Sequence, residues 1–162
     1  MTGEDDIRAC VDAQYTRLVG VVSVVTGSHH LAEEAVQEAF ARAWERAHKG
    51  YQFDHLAGWV ATVALNLARS GRRRAASERA ARARLNSVPP AAADPDVALV
   101  VRDALVALPD RQRDAAVLYY LFDLDVATTA RLLRVSDGTV KTALSRAREK
   151  LAPILRAAEL EA

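Results

Sequence analysis

The chain is nearly without cysteine: one thiol, Cys10, excludes an internal disulfide and a four-cysteine zinc site and suits a reducing compartment. Aromatic residues make up only 6% and glycine totals seven, while Ala, Leu, Arg and Glu dominate, a balance that favours helix over sheet. No apolar run is long. The longest, "LVGVVSVV", is far too short to span a bilayer, and the acidic start "MTGEDDIRAC" has no signal-peptide pattern, so the expected location is the cytoplasm, with no membrane insertion. His29, His30, His48 and His55 lack a metal-ligand spacing, and no glycine-rich phosphate loop occurs. With no cofactor or metal site and no nucleophile–base constellation in view, an enzyme is not expected.

The chain has 162 residues and 51% hydrophobic residues, enough for one ordinary helical domain or two small ones. A formal net charge of +1 conceals a strong asymmetry. Residues 1–40 carry seven acidic groups against two basic, residues 69–84 seven basic against one acidic, and residues 131–156 seven basic against two acidic. Two basic blocks suit a polyanion, and the acidic block suits a basic partner.

Helical periodicity accounts for most of the chain. Ile7, Val11, Tyr15, Leu18 and Val22 mark a first helix, closed by the turn "TGSHH". In "LAEEAVQEAFARAWERA", Leu31, Ala35, Val36, Ala39, Phe40, Ala43 and Trp44 form a wide apolar face, with Glu33, Glu34, Gln37 and Glu38 on the opposite one. The loop "HKGYQFDH" carries Tyr51 and Phe53, which either stack on unpaired bases or plug the core. A third helix follows through Trp59, Val60, Val63, Ala64 and Leu67, with an expected end at Gly71; Asn66, Arg69, Arg72, Arg73 and Arg74 lie at or beyond its C-terminal half. "NSVPPAAADPD" holds three of the five prolines and has no apolar period, as a linker would. The expected organisation is therefore all-α, with small helical domains at residues 1–85 and 97–162 and a flexible linker at 86–96.

The second domain opens with an apolar helix stopped by Pro109. It continues through "RQRDAAVLYYLFDL", where Ala116, Leu118, Tyr119, Tyr120 and Phe122 are expected in the core. "DVATTARLLRVSDGTVKTALSRAREKL" then gives helix, turn, helix, with Ala130 small enough for a helix crossing. In its second helix, capped by Ser136, Val140, Leu144, Ala147 and Leu151 form an apolar stripe, while Lys141, Ser145 and Arg148 repeat at the same steps on another side. A solvated surface helix and a DNA-reading helix share that pattern.

Four stretches in order, "AEEAVQEAFARAWERA", "AGWVATVALNLARSGRRR", "LVALPDRQRDAAVLYYLFDL" and "VSDGTVKTALSRAREKL", resemble regions 2 and 4 of the extracytoplasmic-function sigma factors of bacterial RNA polymerase. The turn of the helix pair departs from that family in carrying Arg134 where a glycine is usual. The resemblance implies a protein that binds core polymerase and directs promoter recognition. Glu33, Glu34, Gln37 and Glu38 would dock on the coiled coil of the largest subunit, and the second domain would grip the flap of the second-largest. Lys141, Thr142, Ser145, Arg146 and Arg148 would read the minus 35 element of duplex DNA. Tyr51, Phe53 and Asn66 would take an extruded minus 10 base, with Arg69, Arg72, Arg73 and Arg74 along the backbone. An anti-sigma factor is a further implied partner. A stand-alone helix-turn-helix regulator explains the second domain and leaves the first without a role.

Overall fold

The structure is a computed structural model that describes residues 3–83 and 97–161. The expected linker at 86–96 lies outside the described residues. All regular structure among them is helical: α1 (Gly3–Thr26), α2 (His29–His48), α3 (Leu56–Ala83), α4 (Val97–Ala107), α5 (Asp110–Ala116), a π-helical turn (Val117–Leu121), α6 (Val126–Leu133) and α7 (Asp137–Glu161).

Turn chemistry sets the boundaries. Gly27 closes α1 at φ +70°, and the hydroxyl of Ser28 accepts from the Leu31 N–H at 3.2 Å to start α2. His55 Nδ1 accepts from the Gly58 N–H at 3.0 Å at the head of α3, and Asp125 Oδ1 from the Thr128 N–H at 2.6 Å at the head of α6. Ser136 caps α7 as expected, accepting from the Thr139 N–H at 3.1 Å. Arg134 supplies the turn of the helix pair in the left-handed conformation, φ 56° and ψ 46°, which costs a side-chain-bearing residue about 1–2 kcal/mol.

Helices α1 to α3 pack around small side chains. Ala32, Ala35, Ala39 and Ala43 are buried on α2, and Ala61, Ala64 and Ala68 on α3, so the helix backbones approach closely around Leu18, Val22, Val36 and Val60. In the second half, Ala130 is buried with Ala115, Val140, Ala143 and Leu144 where α6 crosses α7. Thr129 is fully buried there, and its hydroxyl has no hydrogen-bond partner.

Three features differ from the pattern-based expectation. Helix α3 runs past Gly71 to Ala83, because an exposed run of arginines and alanines, strong helix formers, outweighs the roughly 1 kcal/mol penalty of one glycine. Trp44 is 38% exposed at the edge of the α2 face, and Tyr120 is 45% exposed. The π-helical turn shifts the side-chain phase after Val117, so that Val117, Leu118 and Phe122 point inward and Tyr120 outward.

Leu118 and its neighbours belong to an unexpected partner. Val117, Leu118, Phe122 and Leu124 are buried in the same apolar cluster as α1, α2 and α3. The two halves share a core.

Candidate nucleic-acid interface

On α7 the apolar stripe Val140, Leu144 and Ala147 is buried, and Lys141, Thr142, Ser145, Arg146 and Arg148 are all exposed. The periodicity that buries one stripe fixes the other outward. The guanidinium of Arg148 donates from Nε to the Tyr120 hydroxyl and lies over that ring, 5.9 Å from its centroid. That hydrogen bond, followed by the charge interaction with Tyr120, raises the already high pKa of Arg148. Lys150 donates to Gln112 Oε1 at 3.2 Å. The outer stripe thus offers hydroxyl and ammonium groups near the start of the helix, followed by arginines, one of them steadied by an aromatic ring.

The loop between α2 and α3 is built on stacked rings. Gly50, at φ +84°, turns the chain back, and the Tyr51 N–H donates to the Arg46 carbonyl at 2.9 Å. The Tyr51 and Phe53 ring centroids lie 4.9 Å apart edge to face, and those of Phe53 and Trp59 lie 5.0 Å apart. Arg46 covers two of the rings, 5.5 Å from Tyr51 and 5.3 Å from Trp59. The two aromatic residues differ in exposure. Phe53 is half-buried against the apolar core, whereas Tyr51 is 48% exposed.

Two turns beyond Trp59 on α3, Asn66 is exposed and its Oδ1 accepts from Arg69 Nη1 at 3.0 Å. Arg69 is otherwise engaged. Its Nη2 donates to both Asp114 oxygens, at 2.9 and 2.7 Å, and its Nε lies 3.3 Å from Asp110 Oδ2, off the axis of a hydrogen bond. Burial pushes the Asp114 carboxyl up, ahead of the opposing hydrogen bond and charge of Arg69. Arg73 lies 3.7 Å from Asp110 and is largely exposed, and Arg72 and Arg74 are exposed on the same helix. The basic run is therefore divided: Arg69 is held by carboxylates, and the rest face solvent.

The acidic face of α2 is intact and locally paired. Glu33 meets His29 and Glu34 meets His30, each at 3.4 Å, Glu38 meets Arg42 at 2.8 Å, and Gln37 Nε2 donates to the Tyr15 hydroxyl at 3.1 Å. Exposed pairs of this kind contribute about 0–1 kcal/mol each, so they give way readily to a basic partner.

The structure also brings in residues that sequence reasoning did not assign. Arg46 completes the aromatic loop, and Asp110 and Asp114 hold Arg69. Only the folding back of the loop and the packing of α5 on α3 bring these groups together, so no local spacing carried a signal for them. Among the described residues, no group of three or more His, Cys, Asp or Glu side chains could hold a metal, and no helix is long and apolar enough to cross a membrane.

Comparison with known proteins follows this division of the chain. Residues 10–78 match the family described as Sigma-70 region 2, and residues 98–151 match Sigma-70, region 4. The ECF RNA polymerase sigma factor SigM of Mycobacterium tuberculosis (strain ATCC 25618 / H37Rv) is 34% identical over 128 residues, covering 76% of this chain and 64% of that protein. SigM of Bacillus subtilis (strain 168) is 30% identical over 133 residues, covering 78% of this chain and 81% of that protein. The chain thus spans just under two thirds of the length of the mycobacterial relative. A solved structure of the sigma factor RpoE from Bartonella quintana, in complex with the anti-sigma factor NepR, superimposes with a TM-score of 0.71 at 22% identity, covering 93% of this chain and 97% of that one.

Proposed function

Because the chain belongs to the extracytoplasmic-function RNA polymerase sigma factors, we propose that it binds core RNA polymerase and directs it to promoters, without catalysing a reaction itself. The observation that carries this reading is the presence on one chain of three distinct surfaces, each suited to a different task. The exposed stripe of α7 fits the major groove, where Lys141, Thr142, Ser145, Arg146 and Arg148 recognise the minus 35 element through base edges and phosphates. The α2–α3 loop fits an unpaired strand. Tyr51 offers a ring to stack on a base, Phe53 and Trp59 buttress that ring, and Asn66 both donates and accepts hydrogen bonds. Arg69, Arg72, Arg73 and Arg74 then follow the phosphates of the minus 10 strand, and this part of the affinity falls with salt.

Glu33, Glu34, Gln37 and Glu38 are the docking face for the basic coiled coil of the largest polymerase subunit, and the second region grips the flap of the second-largest. In this reading the recognition tasks divide at residues 1–85 and 97–162, with 86–96 as connector. The protein works in the cytoplasm, and an anti-sigma factor is among its partners, as it is for the RpoE relative.

The test is run-off transcription by core polymerase on a promoter library, with and without the chain. Defined start sites that appear only with the chain are expected, and Glu34→Lys with Glu38→Lys should reduce both the transcript and the co-purification of core. Sequence-specific binding to duplex DNA with no dependence on core would instead identify a stand-alone helix-turn-helix regulator.

A further inference from the structure

A cleft of about 450 Å³ between the two halves is lined by four arginines: Arg46 of α2, Arg111 of α5, Arg131 of α6 and Arg134 of the turn after it. None of the four meets a carboxylate among the described residues. Arg131 has only a neutral partner, donating to the Thr128 hydroxyl at 3.1 Å, and Arg46 lies over the Tyr51 and Trp59 rings. Two carboxylates line the same cleft, but both oxygens of Asp114 are taken by Arg69, so the four guanidinium groups face Asp54 alone. That is a strong local excess of positive charge. None of the five α7 residues assigned to duplex DNA lies in it.

The turn at Arg134 adds a second, independent observation. A side chain is kept there on a left-handed backbone, φ 56° and ψ 46°, where a glycine would avoid a cost of about 1–2 kcal/mol. Such strain persists at ligand clamps, and here it puts a guanidinium on the cleft. The rest of the lining is aromatic. Tyr51 is 48% exposed, its ring is buttressed by Phe53, and Asn66, whose Oδ1 accepts from Arg69, keeps its amide N–H groups for another acceptor.

These features select a ligand by its chemistry. Guanidinium forks pair bidentately with phosphate, and several of them balance more charge than a single carboxylate brings. An exposed aromatic face stacks on a base. A bare anion would leave the rings unused, and an apolar molecule would strand the arginines. The volume lies within the range of small-ligand clefts, roughly 300–1,000 Å³, whereas a single strand runs over about 4–16 nucleotides. We propose that the cleft is a binding site for a nucleoside di- or triphosphate, with the base stacked on Tyr51 and the phosphates held by Arg111, Arg131 and Arg134. Tyr51 and Asn66 are shared with the strand-reading assignment and those three arginines are not, so the test falls on the arginines.

The full chain is titrated calorimetrically with ADP and with GDP, without polymerase, and its melting temperature is followed in parallel. Adenosine, inorganic pyrophosphate and a short mixed-sequence single strand serve as comparison probes at the same ionic strength. One ADP or GDP should bind per chain and raise the melting temperature, because the ligand holds residues of both halves only in the folded chain. Adenosine and pyrophosphate should each bind at least about tenfold more weakly, since each engages only the rings or only the arginines. Arg131→Gln and Arg134→Gly should each weaken ADP and GDP by about tenfold, the loss of one charge-assisted contact. Arg134→Gly relieves the left-handed residue, so its loss of binding is not a loss of fold. Arg156→Gln removes an exposed charge outside the cleft and should change nothing. Four results would overturn the proposal: no saturable binding of either nucleotide at millimolar concentration, pyrophosphate binding as tightly as ADP, equal losses in the Arg156 and Arg134 variants, or capture of the single strand with neither nucleotide bound. Transcription is not a readout, so none of these results bears on the sigma-factor reading.

Discussion

The outer stripe of α7 and the loop before α3 both present polar and basic side chains, yet the first stands on a single helix and the second lines a cleft. The difference lies in how each is made. Helix α7 gets its outer stripe from periodicity alone, since burying Val140, Leu144 and Ala147 forces Lys141, Ser145 and Arg148 outward. The loop gets its shape from tertiary contacts, with Arg46 over Tyr51 and Trp59 and α6 across the cleft. A surface set by one helix stays available in any arrangement of the halves, whereas a surface set by contact between halves changes when they part.

The largest expected effect removes the contact altogether. Leu118 belongs to the second half but is fully buried in the core of the first, so Leu118→Ala should cost about 2–5 kcal/mol, read as a shift of the urea midpoint. Because the core is shared, both halves should unfold in one transition in the wild type, and two separate transitions would break that part of the account. Next comes a change confined to the open surface. Lys141→Ala or Ser145→Ala should weaken duplex promoter binding by about 1–3 kcal/mol where the side chain reads a base, and leave single-strand binding unchanged. An equal loss on both probes would mean that α7 does not read duplex sequence.

Smaller effects sharpen the description of α6 and the turn that follows it. Arg134→Gly relieves a left-handed residue and should raise stability by about 0.5–1 kcal/mol, and Thr129→Val replaces an unbonded buried hydroxyl and should add about 1 kcal/mol. Both are read by denaturant titration. The smallest effect is a pH dependence. The backbone N–H of Thr128, then its hydroxyl, hold the Asp125 carboxyl below the ordinary carboxylate value, with Arg131 and His55 adding weaker pulls. Its stabilising contribution is therefore present above the unfolded value and lost as pH falls through the lower folded one. Asp125→Asn should flatten this acid limb of the stability profile while leaving the neutral-pH helix signal in place.

Much of this was legible in the sequence, for identifiable reasons. Amphipathic spacing gave the helices, the Ser136 cap, the crossing at Ala130 and the outward stripe of α7, because each depends on residues within a few positions of one another. Helix α3 runs on past Gly71, where a glycine signals an end, because the helix-forming residues around it outweigh one glycine. Tyr120 faces outward, against its helical-spacing expectation, because a π-helical turn breaks the 3.6-residue phase. The shared core and the engagement of Arg69 were not legible at all. Arg69 and Asp114 are 45 positions apart, and nothing in either local sequence specifies the other. The opposite-charge blocks indicated separate surfaces for separate partners, but not that one basic residue would be held within the chain.

The most direct measurement follows the binding of the whole chain to a minus 35 duplex and a minus 10 single strand from a promoter it serves, with and without core polymerase and with core alone as reference. The account predicts that the free chain favours the duplex and that core adds strong, sequence-dependent capture of the single strand, reduced by Asn66→Ala and Tyr51→Ala. Duplex preference that persists unchanged with core, together with no gain on the single strand, would contradict it.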